Sequence, residues 1–238
     1  MNSTAMTIEI SDLEYAWPNQ GPLLQLKSFT VAAGESLCLL GPSGTGKSTL
    51  LSLIAGVLEP QKGHLKVCGS ALEALSSHQR DQLRADHIGI IFQMFNLVPY
   101  LSVLQNVLLP CRFSPRRRNR FESPESMVED AKRLLCQLGL DAPDLLSRPV
   151  RDLSVGQQQR VAAARAMIGA PELIIADEPT SALDRDNRNR FVRLLQDEAK
   201  ASGATLLFVT HDQGLASQFD STVTLDDINH ITTPTGTA

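Results

Sequence analysis

Eight consecutive residues carry the clearest chemistry in the chain: Gly41-Pro42-Ser43-Gly44-Thr45-Gly46-Lys47-Ser48. They fit G-x-x-x-x-G-K-[ST], placed between an apolar run and a helical pattern as that motif requires. The glycines let the backbone curl so that successive N–H groups point at phosphate oxygens, at the positive end of the helix that follows. Lys47 would reach the β- and γ-phosphates and the Ser48 hydroxyl would ligate Mg2+, with Thr49 beside them in the nucleotide site. The plain alternative is a flexible glycine turn, which the flanking strand and helix argue against. The loop implies a nucleoside triphosphate, but loops of this kind serve kinases, GTPases, motors and transport ATPases alike.

Further along, Leu173-Ile174-Ile175-Ala176 leads into Asp177-Glu178, two carboxylates at the C-terminal end of a strand. Ser154 with Gln157 three residues on is a capping box that opens a helix running to about Ile168. Ser154 and Gly156 there make a second helix N-terminus able to take an anion, with no phosphate loop of its own. His211 ends the strand-like TLLFVTH, and Gln93 follows IGIIF. Each is ordinary when taken singly: a carboxylate can cap the next helix, Asp184 can be an N-cap, and a lone histidine is usually structural.

The elements that must position these residues are legible as short continuous apolar runs. Ser36–Leu40, Ile88–Phe92, Leu173–Ala176 and Thr205–Thr210 read as strands covered on both faces, and Lys47–Val57 as the helix after the loop. From Met94 to about Arg151 no strand is evident. Ser102–Leu109 and Glu125–Leu138 are helical there, the second starting at Ser123-Pro124 with an apolar face. The fold class is therefore α/β with a mostly parallel sheet and an inserted helical subdomain. Arg112, Arg116, Arg117, Arg118 and Arg120 around Pro115 read as a solvated connector, or as contact with anionic lipid or an acidic partner.

Composition narrows the classes. Twenty-two Lys and Arg against 26 Asp and Glu give a net charge of −4, which offers nucleic acid no general attraction. Only one Trp and two Tyr are present, too few for a base-stacking platform. No run approaches the roughly 20 apolar residues of a spanning helix, and the polar start is no signal peptide. Cys38, Cys68, Cys111 and Cys136 show no metal-ligand spacing and read as reduced apolar residues in a cytosolic protein. His64, His78, His87 and His230 read as surface residues in no cluster.

Leu153-Ser154-Val155-Gly156-Gln157 resembles the signature motif of ATP-binding cassette proteins, usually LSGGQ, with Val155 where a glycine is usual. The other motifs follow in that family's order: Gln93 as the Q-loop glutamine, Leu173–Glu178 as the Walker B strand, Ser181-Ala182-Leu183-Asp184 as the D-loop, and His211 as the switch histidine. The resemblance implies a nucleotide-binding domain over 7–230, with a RecA-like core at 7–93 and 157–230, an N-terminal antiparallel β region, and a helical subdomain at about 94–156. It implies ATP and Mg2+ as ligands. Ser48, Gln93 and Asp177 would hold the metal, and Glu178, Gln93 and His211 would serve hydrolysis. Trp17 would stack on adenine, in preference to Tyr15. Ser154, Val155, Gly156, Gln157 and Asp184 would contact ATP held by the other copy of a homodimer.

The stretch from Ile88 to Pro110 is most similar to the lipoprotein-releasing and macrolide-export branch, which implies export or mechanotransmission. The expected partners are integral membrane permease subunits and not nucleic acid. Because the chain ends soon after Asp227, the expectation is a peripheral subunit on the cytoplasmic face of the inner membrane. An ATP-switched module without transport, such as a cell-division regulator or an iron–sulfur assembly ATPase, shares every motif and is the alternative. A chromosome or repair ATPase would need a long coiled coil in place of the short insert, and a small-molecule kinase would lack the signature.

Overall fold

In the computed structural model, residues 5–181, 183 and 185–231 are described. Alternating apolar residues make the first two strands, β1 (Met6–Ala16) and β2 (Pro22–Ala32), which pair antiparallel. Ile8, Ile10, Leu13 and Tyr15 all turn inward, although the parity changes between Ile10 and Leu13. Asp12 absorbs the change in a left-handed conformation (φ 49°), where the pairing with β4 (Lys62–Val67) slips, as at a β-bulge. Gly63 faces this bulge, and a Cβ there would stand 2.3 Å from the Asp12 carbonyl oxygen. With β5 (Ser70–Ala71) these strands form a sheet in the order β2-β1-β4-β5.

The second sheet is parallel. It contains β3 (Ser36–Leu40), β6 (Ile88–Ile91), β7 (Leu173–Asp177), β8 (Thr205–Thr210) and β9 (Ser221–Thr224), in the order β6-β7-β8-β3-β9. Strands β3, β6, β7 and β8 begin where their apolar runs begin and end within one residue of where the runs end. Those runs are continuous because successive side chains enter different cores. Leu37, Leu39, Leu173, Ile175, Leu207 and Val209 pack with β1, β2 and helix α1 (Lys47–Ile54). Cys38, Ile174, Ala176, Leu206 and Phe208 pack on the other face with α6 (Val155–Met167) and α7 (Arg185–Ser202). A strand with apolar partners on both faces shows no alternation.

Helix α2 (Ser77–His87) leads into β6, and the segment from β6 to α6 is helical. It holds α3 (Val103–Phe113), α4 (Pro115–Arg118) and α5 (Pro124–Gln137). Helix α3 continues past Pro110, beyond the expected end at Leu109. Ser123 caps α5 as the sequence suggests. Asn106, fully buried, accepts from the Val98 amide at 2.9 Å and donates to the carbonyls of Val98, Leu101 and Ser102, fixing the turn that enters α3. Short α8 (Leu225–Ile228) ends the elements.

The arginine run is not a uniform solvated connector. Arg117 is buried, 2% exposed. Its guanidinium donates to the carbonyls of Ile88 (2.7 Å), Ile168 (3.1 Å) and Ala166 (3.3 Å). Burial pulls its pKa down to about 10, which leaves it charged at neutral pH. Arg112, Arg118 and Arg120 remain exposed. Composition and spacing treat the five alike, whereas the helical turn of α4 turns one of them inward.

Candidate functional site

Four helices, α2, α3, α5 and α6, open on a serine capping box; α1 opens on Gly46 in the left-handed region (φ 103°), with no side-chain cap and no acid in its first turn. The free N–H groups of its first turn therefore face outward with the helix dipole behind them. This end faces a cleft of about 460 Å3 at the C-terminal ends of β3, β7 and β8, where parallel sheets place their ligands. Ser43, Gly44, Gly46, Lys47, Ser48, Thr49, Trp17, Gln93, Asp177, Glu178 and His211 all line it. Gly41, Pro42 and Thr45 shape the loop from behind. Lys47, buried, donates from Nζ to the carbonyls of Gly41 (2.6 Å) and Pro42 (2.8 Å), and Thr45 Oγ1 donates to the latter at 2.9 Å.

Across the cleft, Ser48 Oγ donates to Asp177 Oδ2 at 3.0 Å, while Asp177 Oδ1 is buried with no hydrogen-bond partner. An orphaned carboxylate oxygen beside a hydroxyl is a donor pair suited to a hard divalent cation. Burial raises the pKa of this carboxyl; the Ser48 hydrogen bond opposes the rise and the charge on Glu178 adds to it. A carboxyl raised in the folded state contributes stability that is complete below its unfolded pKa and lost as pH rises through its folded one. Asp177→Asn should therefore raise the Tm of the nucleotide-free protein at pH 7 by about 1–3 °C. The gain should shrink as pH falls into the ordinary carboxylate range, as thermal melts across pH would record.

Glu178, one residue past β7, takes a left-handed φ of 47°, uncommon outside glycine. That turn swings its carboxylate between two cleft residues: Oε2 lies 2.8 Å from His211 Nδ1 and Oε1 lies 3.6 Å from Lys47 Nζ. Tyr15 is buried, while Trp17 stands half exposed at the rim with its ring edge-on to Tyr15 (centroids 5.4 Å, 87°). Gln93 is exposed on a loop that Arg165, from α6, clamps by donating to the carbonyls of Asn96 (2.6 Å) and Phe95 (2.7 Å). No motif marks Arg165, nor Gln20 and Leu23, which also line the cleft together with Ser181, the first residue of the segment that resembles the D-loop; only the loop's left-handed Phe95 and Asn96 betray the strain that Arg165 restrains.

The signature segment lies outside this cleft. Ser154 and Gln157 form the expected capping box, Ser154 Oγ accepting from the Gln157 amide at 3.3 Å and Gln157 Oε1 accepting from the Ser154 amide at 3.0 Å. Ser154 and Val155 are exposed, and the Ser154 hydroxyl keeps its own proton free to donate. Asp184 lies outside the described residues.

A family profile described as "ABC transporter" matches residues 24–181, more than half of the chain. The chain belongs to the ABC transporter family. The lipoprotein-releasing system ATP-binding protein LolD of Anaeromyxobacter dehalogenans is 40% identical over 224 residues, covering 93% of this chain and 91% of that protein. The macrolide export ATP-binding/permease protein MacB of Pasteurella multocida is 36% identical over 205 residues; the match covers 86% of this chain and 30% of that longer protein. Among solved structures, the dimeric post-hydrolysis state of the ATP-binding cassette MJ0796, bound to ADP and Pi, superposes with a TM-score of 0.80 at 32% identity, covering 91% of this chain and 93% of that one. The expected resemblance to the lipoprotein-releasing and macrolide-export branch is thereby borne out, and the chain is an ABC ATPase with that family's α/β fold. No helix among the described residues is long and apolar enough to cross a membrane.

Proposed function

We propose that two copies of this ABC ATPase close head to tail around two Mg-ATP and so drive separate integral membrane permease subunits, in export or mechanotransmission of lipoprotein, peptide or drug type. The observation that carries this reading is the separation of two anion sites. The uncapped end of α1 opens into a cleft lined by Lys47, Asp177, Glu178 and His211, whereas the Ser154–Gln157 end of α6 is exposed outside that cleft. A γ-phosphate bound at the first site lacks the second until a partner copy brings it.

In this scheme the loop amides of Gly41–Ser48 and Lys47 bind the phosphates, and Trp17 stacks on adenine. Lys47 leaves the carbonyls of Gly41 and Pro42 for the incoming oxygens. Ser48, Asp177 and Gln93 would hold Mg2+, a role suited to the unpartnered Asp177 Oδ1. Mg2+ held there supplies charge neutralisation on the β- and γ-phosphate oxygens. Glu178 accepts a proton from the attacking water, and His211, hydrogen-bonded to it, orients the carboxylate and meets the γ-phosphate. Ser154, Val155, Gly156, Gln157 and Asp184 contact the nucleotide of the other copy. Hydrolysis severs the γ-phosphate from ADP, departure of the phosphate removes the charge that joins the two surfaces, and the dimer opens.

The proposed domain comprises a RecA-like core at 7–93 and 157–230 and a helical subdomain at about 94–156. An apolar groove of about 540 Å3 between α2, β6 and α3, lined in part by Phe92, Leu109, Pro110 and Phe113, supports a seat for the permease next to the Gln93 loop. Such a subunit works at the cytoplasmic face of the membrane. A tagged pull-down of the Glu178→Gln variant with ATP from detergent-solubilised membranes tests this. Co-purification of a permease is the expected result. Recovery of soluble partners alone refutes the transport reading and leaves the ATP site untouched.

A further inference from the structure

Three metal-ligating side chains from distant parts of the chain meet at the end of the parallel sheet opposite the nucleotide cleft. Cys68 occupies a left-handed position (φ 47°) in the turn between β4 and β5. His87 is the last residue of α2, and Glu172 immediately precedes β7. Their ligand atoms all lie within 4.8 Å of one another. Linear spacing hides the group, and His87 is not the isolated surface residue its sequence suggests: it is half buried, with Nδ1 3.0 Å from Glu172 Oε1.

We propose that Cys68, His87 and Glu172 form a zinc-class divalent-cation site, with sulfur, imidazole nitrogen and carboxylate oxygen as three ligands and water as the fourth. This donor set suits a borderline cation of that class and not calcium or magnesium. Bonds of about 2.0–2.3 Å space tetrahedral donors by about 3.3–3.8 Å, so closure needs movements of about 1 Å. The scaffold is firm. Ile88 and Leu173, the residues following His87 and Glu172, are paired in the parallel sheet, the Glu172 amide donates to the His87 carbonyl at 3.0 Å, and the Cys68 amide donates to the Thr7 carbonyl at 2.8 Å. Side-chain exposures of 22% for His87 and 46% for Glu172 leave a path for the ion.

Binding is an exchange. The Cys68 S–H bond breaks, its proton passes to solvent, and a sulfur–metal bond forms. Glu172 gives up Arg116 of α4, whose guanidinium now holds the same Oε1. The cation thus fastens the β4–β5 turn to the base of the parallel sheet while freeing one tie to the helical segment.

Titration of the full-length, metal-free protein with Co2+, followed by competition with Zn2+, tests the site. One equivalent of Co2+ should give a thiolate charge-transfer band. Cys68→Ser should abolish it, and His87→Gln should weaken affinity at least about tenfold. Arg116→Ala should tighten binding, and Cys136→Ser, at an exposed cysteine elsewhere, should change nothing. Zn2+ should raise the Tm of the wild type by about 3–6 °C and leave that of Cys68→Ser unmoved. The absence of the band at one equivalent, its survival in Cys68→Ser, or equal Tm shifts in both proteins overturns the proposal.

Discussion

Glu178→Gln should lower ATP turnover by about 10²–10⁴-fold, the usual worth of a positioned general base, while leaving ATP affinity within about twofold of wild type. The substitution keeps the volume and the left-handed backbone but replaces a proton-accepting oxygen with an amide that cannot take a proton from water. Phosphate binding rests on the loop amides and on Lys47, which Glu178 reaches only at 3.6 Å. Removal of that carboxylate's charge from the cleft also takes away repulsion toward the γ-phosphate. The variant should therefore accumulate as an ATP-bound dimer. Steady-state phosphate release, nucleotide titration and size-exclusion chromatography with ATP separate these effects. Wild-type turnover in the variant would remove Glu178 from the chemistry, and a monomer in ATP would remove the head-to-tail closure.

A second large effect should come from a residue remote from the cleft. Arg117→Leu should destabilise the fold by about 3–5 kcal/mol, the cost of leaving several buried carbonyls without a donor. Three carbonyls, of Ile88, Ala166 and Ile168, would lose their donors together, and each buried orphan costs about 1–3 kcal/mol. At about 2–4 °C per kcal/mol for a chain of this size, Tm should fall by about 6–20 °C. Arg117→Lys should recover less than half, because one ammonium cannot span carbonyls served from Nη1 and Nη2 of the guanidinium. Arg118→Ala, at an exposed neighbour, should stay within about 0.5 kcal/mol of wild type. Equilibrium urea unfolding of the three variants decides between a structural tie and a surface charge.

The contrast between Arg117 and Arg118 marks where the chain was readable. Strands such as Ser36–Leu40 and Thr205–Thr210 were legible because burial on both faces leaves an unbroken apolar run, and α6 because Ser154 and Gln157 stand at capping-box spacing. The phosphate loop and the residues after β6, β7 and β8 were legible because strand ends confine cleft residues to fixed sequence positions. β1 and β2 were harder to read: the inward set changes parity at Asp12 in β1 and between Leu26 and Phe29 in β2, which interrupts the alternation that announces a strand. Arg117, Arg165 and the Cys68–His87–Glu172 group escaped for one reason. Their partners are backbone carbonyls or side chains brought near by the packing of separate elements, and such partners leave no trace in local sequence.

Arg165 gives that packing a directional consequence. Helix α6 spans about 20 Å at 1.5 Å per residue, with exposed Ser154 at its start and Arg165 near its far end, fastened to the loop that follows Gln93. A stiff rod gripped at one end and touched at the other acts as a lever. In the proposed dimer, a push on Ser154 from the second copy would reach the Gln93 loop through α6 itself, without crossing the nucleotide cleft. The groove bordered by Phe92 and Phe113 lies beside that loop and is itself lined by Arg165. An occupant of the groove would therefore rest against the same clamp that such a push moves.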